Sequence, residues 1–172
     1  KSQEIPSGHD PEAYVTRRLQ ARAPDGAEVP ITILMRRDTP TDGSAPILLY
    51  GYGAYGIAIP ASFSITRLSL VDRGWIWAIA HIRGGTEKGR AWYLAGRRFE
   101  KTNSFADFIA SDEHLVRAGY GRAVRIVAQG GSAGGLLMGA VANLRPDLFA
   151  GVVAIVPFVD VLNTISDEDL PL

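Results

Sequence analysis

The stretch that decides the fold is VRIVAQGGSAGGLLMGAVA, residues 124–142. Residues 125–128 are an apolar, β-branched run typical of a buried strand, and the small apolar residues that follow Ser132 are typical of a helix. Between these two segments, residues 130–134 (GGSAG) match the pattern G-x-S-x-G. This order predicts a strand, a sharp turn at Ser132 and a helix.

The predicted turn has the features of a nucleophilic serine. A serine at such a turn has a strained backbone and an exposed Oγ, and we expect Gly130, Gly131 and Gly134 to let strand and helix approach without a Cβ clash. The N–H of Ala133, at the helix start, is placed to donate to a developing oxyanion. The alternative is a glycine-rich loop in which Ser132 only caps the helix. We predict that Ser132 is a nucleophile.

Bulk composition narrows the class of protein. The chain has 172 residues, 47% of them apolar, with a formal net charge of zero and no cysteine. One domain or most of one is expected at this length, and zero charge disfavours nucleic acid or an anionic membrane as an electrostatic partner. No apolar run approaches the ~18 residues of a membrane span, and the chain does not open on an apolar segment. We expect a soluble, cytoplasmic protein.

The first part of the chain predicts a tail followed by a hairpin. Residues 1–12 are polar and rich in turn-forming residues, which predicts a linker or tail. Residues 14–21 and 29–36 have strand character, and the Pro-Asp-Gly turn at residues 24–26 lies between them. Proline presets φ in such a turn and glycine accepts positive φ, so we predict an antiparallel hairpin.

The remainder of the chain alternates strands with helices. Further buried strands are predicted at residues 47–50, 75–82, 125–128 and 149–157, and helices at 61–71, 104–118 and after Ser132. Ser104 is the expected N-cap of its helix and Gly119 its stop. Continuous apolar strands that alternate with helices predict an α/β fold, with parallel strands after the antiparallel start.

The sequence GYGAYG at residues 51–56 matches the G-x-G-x-x-G dinucleotide pattern. That site needs a helix that starts inside the pattern, and Pro60 with its β-branched neighbours disfavours such a helix. A loop at the rim of an active site is the better interpretation, in which the Tyr52 phenol can donate to an oxyanion. His81 precedes Ser132 and is interpreted as structural, and the acidic residues 167–169 as a solvated loop rather than a cation site.

Four separated segments together resemble the prolyl oligopeptidase family of serine peptidases. The resemblance covers the chain from about Tyr14 onward and is strongest for the oligopeptidase B branch, whose members cleave short peptides after Arg or Lys. Ala133 supports that branch, because prolyl oligopeptidases proper usually have Asn there. The four segments are residues 50–56 (YGYGAYG), 80–89 (AHIRGGTEKG), 130–134 (GGSAG) and 145–161 (RPDLFAGVVAIVPFVDV).

The resemblance implies an α/β-hydrolase catalytic domain with Ser132 as nucleophile. It also implies that the Tyr52 hydroxyl and the Ala133 N–H form the oxyanion hole, and that no metal or cofactor is needed. Family members have a β-propeller that restricts entry to short peptides, and residues 1–12 resemble the linker that leaves it.

The sequence departs from the family in one respect. The triad order in this fold is Ser, Asp, His, and no histidine follows Ser132, while Asp160 comes one strand too early for the triad acid. We therefore expect residues 13–172 to be the N-terminal part of a catalytic domain, truncated before the last strands and inactive alone. The acidic residues that would receive a basic side chain at P1 are expected beyond Leu172.

Such a truncated sheet would expose an apolar edge. We expect the chain to form a homodimer, to aggregate, or to bind the remainder of its own domain. Two alternative functions stay open: an esterase or acylaminoacyl peptidase of the same fold, and a non-catalytic interaction protein.

Overall fold

A computed structural model describes residues 8–169, which form one six-stranded sheet with helices on both faces. The predicted linker at residues 1–12 lies largely outside the described residues, and its last part enters a short 3₁₀ helix, Pro11–Ala13. The strands are β1 (Tyr14–Arg22), β2 (Glu28–Arg36), β3 (Ile47–Tyr50), β4 (Ile76–Ala80), β5 (Ile126–Gly131) and β6 (Phe149–Ile155). The helices are α1 (Ile65–Val71), α2 (Arg90–Leu94), α3 (Thr102–Arg117), α4 (Ala133–Leu144) and α5 (Val161–Ser166).

In the strand order β1-β2-β4-β3-β5-β6, β3 and β5 are neighbours. The loops that follow these two parallel strands therefore lie together at the carboxyl end of the sheet. β1, β2 and β4 are successively antiparallel, whereas β4, β3, β5 and β6 are parallel, which confirms the predicted hairpin and α/β arrangement. β4 and β5 lie on opposite sides of β3, so the chain reverses its direction of travel across the sheet there. Ligand sites of open α/β sheets form at the carboxyl ends of strands beside such a reversal.

Alternate residues of the central strands serve the two faces of the sheet. Ile76, Ala78 and Ala80 of β4 belong to the buried core under α3 and α4, which contribute Phe108 and Leu137. The intervening residues of β4 face α1, where the Trp77 ring stacks on Tyr50 at 6.5 Å between ring centroids. None of the helices in residues 8–169 combines the length and apolarity needed to cross a bilayer.

The prediction that residues 149–157 form a buried strand is wrong in its burial. β6 ends at Ile155 and exposes most of its side chains, with Val153 41% and Ile155 48% exposed. It pairs with β5 on one side, and no strand within residues 8–169 pairs on the other. Leu162 of α5, 78% exposed, extends this apolar surface. The apolar sequence of β6 is typical of a buried strand, but nothing within residues 8–169 packs over most of its side chains.

The N-terminus of α3 also differs from its prediction. Ser104 is not the N-cap, because α3 begins at Thr102 and Lys101 precedes it. Ser104 is fully buried, and its Oγ donates to the carbonyl of Arg83 at 2.7 Å. The sequence pattern predicts a cap, whereas the Ser104 hydroxyl binds the loop that follows β4 instead. Gly119 is confirmed as the stop, with φ +79°.

Asp112, on α3, makes stability depend on pH. Its side chain is fully buried, and neither carboxyl oxygen has a hydrogen-bond partner among the described residues. Burial raises the pKa of this carboxyl to about 7, and the Glu113 charge adds to the effect. The folded state therefore retains a proton that the unfolded chain releases near its ordinary pKa of 3.8. Stability is accordingly lost as the pH rises towards 7.

Between pH 5 and pH 8 we expect this group to lower the free energy of unfolding by about 2 kcal/mol. Urea denaturation at the two pH values measures the difference. Asp112→Asn keeps the shape of the neutral acid and should remove this component. Glu168→Gln, which changes an exposed carboxylate, should retain it. Equal pH dependence in wild type and Asp112→Asn would contradict the assignment.

Candidate active site

Ser132 lies at a strained turn between β5 and α4. Its φ of +55° and ψ of −117° are unusual for a residue other than glycine. Backbone bonds hold the turn, since the Ser132 N–H donates to Ile155 O at 2.9 Å and its carbonyl accepts from Phe158 N at 3.1 Å. The side chain is exposed and makes no capping hydrogen bond to the helix. Ser132 thus occupies the N-cap position of α4, but its side chain does not cap the helix.

Two of the predicted glycines are sterically required at this turn. A Cβ on Gly130 would lie 2.3 Å from the carbonyl oxygen of Gly134. A Cβ on Gly134 would lie 2.8 Å from the carbonyl oxygen of Gly51, in the loop after β3. Real Cβ atoms do not approach backbone oxygens so closely, because the electron shells overlap. These glycines let strand, helix and loop meet around Ser132.

Gly131 is not sterically required, whereas Gly135, which the motif does not include, is. A Cβ on Gly131 would make an ordinary contact of 3.4 Å with Ile155 O, so sterics do not demand glycine there. Gly135 does require it, because its Cβ would lie 2.4 Å from Pro157 Cα. The G-x-S-x-G spacing does not include position 135. The second glycine of GGLLM was the available signal.

Tyr52 is the second residue after β3 and lies against the start of α4. The Gly51 N–H donates to Gln129 O of β5 at 3.0 Å, which joins the loop to the strand that precedes Ser132. The Tyr52 ring carbon Cδ2 is 3.3 Å from the Cβ position of Gly134. Burial raises the pKa of the Tyr52 phenol, so it keeps its proton and remains a hydrogen-bond donor at neutral pH.

The same loop lacks the feature that a dinucleotide site needs. No helix starts within residues 51–56, and the next one, α1, begins at Ile65. No helix N-terminus is therefore available from this motif to receive a pyrophosphate. Within residues 8–169 no three His, Asp or Glu side chains come close enough together to hold a metal ion.

A buried ion pair anchors the loop that follows β4. Arg83 is 5% exposed and Asp107 of α3 is fully buried, with Nη2 and Oδ1 2.6 Å apart. Asp107 Oδ2 also accepts the backbone N–H of Arg83 at 2.9 Å. Asp25, in the hairpin turn, binds the outer edge of the guanidinium. The bonds from Asp107 and Asp25 hold the pKa of Arg83 above its ordinary value.

Asp107→Asn is expected to destabilise the protein by about 3 kcal/mol, because it leaves the buried Arg83 charge without its main partner. Asp25→Asn, which removes the same charge from a half-exposed position, should cost less than about 1 kcal/mol. Urea denaturation of both variants tests the comparison. Equal losses would show that burial of the Asp107 pair does not govern its contribution.

His81 is enclosed by other polar groups. It is 3% exposed, its Nε2 is 2.8 Å from Thr32 Oγ1, and its Nδ1 is 3.6 Å from a carboxylate oxygen of Glu87. Glu87 also accepts the backbone N–H of Ile59 at 3.0 Å. These contacts agree with the structural interpretation of His81.

Comparison with known proteins identifies the family. The model of the prolyl oligopeptidase family matches residues 61–172. The chain belongs to the prolyl oligopeptidase family. Over 100% of this chain, the sequence is 50% identical to dipeptidyl aminopeptidase BI of Pseudoxanthomonas mexicana. Over 95% of this chain, it is 42% identical to protease 2 of Moraxella lacunata.

Solved structures of family members have the same fold. Oligopeptidase B from Leishmania major superposes with a TM-score of 0.95 at 47% identity, covering 100% of this chain and 24% of that protein. Oligopeptidase B from Trypanosoma brucei, solved with covalently bound antipain, gives the same values. The fold is thus that of the α/β-hydrolase catalytic domain. The chain spans 24% of the length of the two curated relatives named above.

Proposed function

We propose that the protein is a serine peptidase in which Ser132 attacks the scissile carbonyl. The observation that carries the proposal is the strained, exposed Ser132 at the turn into α4, with its Oγ free of any capping bond. The oligopeptidase B relative from Trypanosoma brucei, solved with covalently bound antipain, supports covalent chemistry. Gly130, Gly131 and Gly134 belong to the nucleophile elbow of this proposal.

The oxyanion of the tetrahedral intermediate would be held by two donors. One is the backbone N–H of Ala133, the first residue of α4, which has no partner inside the helix. The other would be the hydroxyl of Tyr52, a residue whose Cα and ring carbon Cδ2 lie against Gly134 in the first turn of the same helix. Donors fixed before the reaction stabilise developing charge without reorganisation, and one such donor contributes a rate factor of about 10²–10³.

The serine hydroxyl also needs a base, because it is a weak nucleophile at neutral pH. None of the three histidines follows Ser132 in the sequence, and His81 is enclosed by Thr32 and Glu87. We propose that the histidine and the aspartate of the triad come from a part of the protein outside residues 1–172, and that these residues alone do not turn over substrate. Asp160 has no assigned role.

Short peptides cleaved after Arg or Lys are the proposed substrates, by analogy with the oligopeptidase B relatives. The proposed partner domain is the β-propeller of the full-length relatives, with residues 1–12 as the linker to it. We place the protein in the cytoplasm and assign it no cofactor. The similarity to dipeptidyl aminopeptidase BI favours a second candidate, removal of dipeptides from a free N-terminus.

A panel of fluorogenic substrates separates these functions in the protein expressed from its complete gene. Amino-blocked peptides ending in Arg or Lys should be hydrolysed, and the same peptides ending in Pro should not. Preference for unblocked dipeptides would favour the aminopeptidase, and turnover of p-nitrophenyl esters alone would favour the esterase alternative. Absence of any turnover that depends on Ser132 would contradict the peptidase proposal and leave a non-catalytic interaction protein.

Residues 1–172 expressed alone are expected to self-associate. β6, α5 and the segment between them expose large apolar side chains, and unpaired strand edges promote association between chains. These side chains include Val152, Val153, Ile155, Val159, Leu162 and Ile165. Sedimentation velocity should show dimers or larger species, and a monodisperse monomer would contradict the expectation.

A further inference from the structure

Lys101, the residue that precedes α3, sends its ammonium group to the loop that carries Tyr52. Lys101 Nζ donates to the carbonyl of Gly53 at 2.5 Å and lies 3.5 Å from Ser104 Oγ. Across residues 8–169, no carboxylate forms an ion pair with it. Burial lowers the pKa of the amine to about 8. The charge of Lys101 is thus directed at a backbone oxygen next to Tyr52.

The backbone around the Gly53 carbonyl is tightly packed. Gly53 has φ +68°, and a Cβ there would lie 2.6 Å from Ile82 Cδ1. A Cβ on Gly84 would lie 2.0 Å from the Gly53 carbonyl oxygen, so glycine is required on the opposite side as well. The Gly56 N–H donates to Gly84 O at 2.9 Å. The loop at residues 51–56 and the loop after β4 therefore meet backbone to backbone at the Gly53 carbonyl.

The first two turns of α3 also hold the second of these loops, the one that follows β4. Ser104, three residues after Lys101, donates to Arg83 O, and Asp107 binds the Arg83 backbone N–H. The start of α3, from Lys101 to Asp107, thus positions both loops. A cation is unfavourable at a helix N-terminus and costs desolvation when partly buried, so a strong charge-assisted bond is needed to offset these terms.

We propose that Lys101 is a positioning residue, which acts through the Gly53 carbonyl to hold the Tyr52 hydroxyl at the oxyanion position. The proposal rests on the proposed function, since it assigns Lys101 a role in the same site. A misplacement of about 1 Å at a reacting centre can lower the rate by as much as about 10²-fold. A lysine that serves only the stability of α3 would not alter the rate of the folded enzyme.

Kinetics of the protein expressed from its complete gene test the proposal. Lys101→Met keeps the length of the side chain and removes the donor, and we expect about a tenfold loss of kcat with little change in KM. The matched control is Lys88→Met, which removes another lysine-to-carbonyl bond, from Lys88 to Glu28 O. That variant should retain the kcat of wild type.

The effect of Lys101 should disappear when the Tyr52 hydroxyl is absent. In the Tyr52→Phe background, Lys101→Met should change kcat less than about twofold, because non-additivity marks residues that act through one another. Equal losses of kcat in the two backgrounds, or unchanged kcat in Lys101→Met alone, would overturn the proposal.

Hydrogen exchange gives a readout that does not depend on catalysis. Lys101→Met should increase exchange at the amides of residues 53–56 at least tenfold, and leave the amides of β2 unchanged. Unaltered exchange in that loop would overturn the proposal. Absence of Ser132-dependent hydrolysis in the parent protein would instead refute the proposed function, and the exchange data would still decide whether Lys101 holds the loop.

Discussion

Peptide hydrolysis by Ser132→Ala is expected to fall at least about 10³-fold in kcat, with KM little changed. The proposed mechanism forms its covalent bond through the Ser132 Oγ, and alanine offers no atom that could replace it. Stability should change by less than about 1 kcal/mol, because the removed hydroxyl is exposed and has no capping bond. Alanine also carries the same backbone strain as serine at φ +55°.

The comparison variant is Ser69→Ala, which removes an exposed hydroxyl on α1. It should retain wild-type kcat and stability. Initial rates with an amino-blocked arginine peptide and urea denaturation of both variants give the required numbers. Residual hydrolysis within tenfold of wild type in Ser132→Ala would mean that another residue carries the reaction.

Gly130→Ala is expected to destabilise the protein by about 4 kcal/mol and to remove its activity. The new Cβ would lie 2.3 Å from the carbonyl oxygen of Gly134. Neither atom can move away easily, because one belongs to the end of strand β5 and the other to the first turn of α4. Overpacking of a rigid site costs about 1–3 kcal/mol, and a backbone clash exceeds that range.

Gly131→Ala provides the matched control one residue later. The new Cβ would lie 3.4 Å from its nearest neighbouring atom, and the φ of Gly131 is not in the left-handed region. The loss of stability should therefore stay below about 1 kcal/mol. Urea denaturation of the two alanine variants tests the contrast. If Gly131→Ala proved as damaging as Gly130→Ala, contact distances would not explain the glycine requirement.

Local patterns were sufficient to predict most of the framework. The Pro-Asp-Gly turn at residues 24–26 favours the hairpin of β1 and β2, because proline presets φ and glycine accepts a positive φ. The elbow at Ser132 was predictable for the same reason, since G-x-S-x-G after an apolar run fixes a strand, a turn and a helix. In the hairpin turn the backbone bond between Ala23 and Ala27 is local, and at the elbow so is the contact between Gly130 and Gly134.

Features that depend on distant partners were not predictable in this way. The burial of β6 depends on which other segments pack against it, and the sequence of β6 alone does not specify those segments. Ser104 fits a capping pattern, yet it binds the carbonyl of Arg83, 21 residues earlier. Lys101 contacts Gly53 from 48 residues away, and no spacing rule links two such positions. These contacts emerge only when the sheet order brings the loops together.

The most direct test of the account is covalent labelling of Ser132 by a fluorophosphonate probe. The protein expressed from its complete gene would be treated with the probe, and the modified residue located by intact mass and peptide mapping. The account predicts rapid labelling at Ser132 that is absent in Ser132→Ala. Labelling no faster than in Ser132→Ala, or labelling at a different serine, would contradict the assignment of Ser132 as the nucleophile.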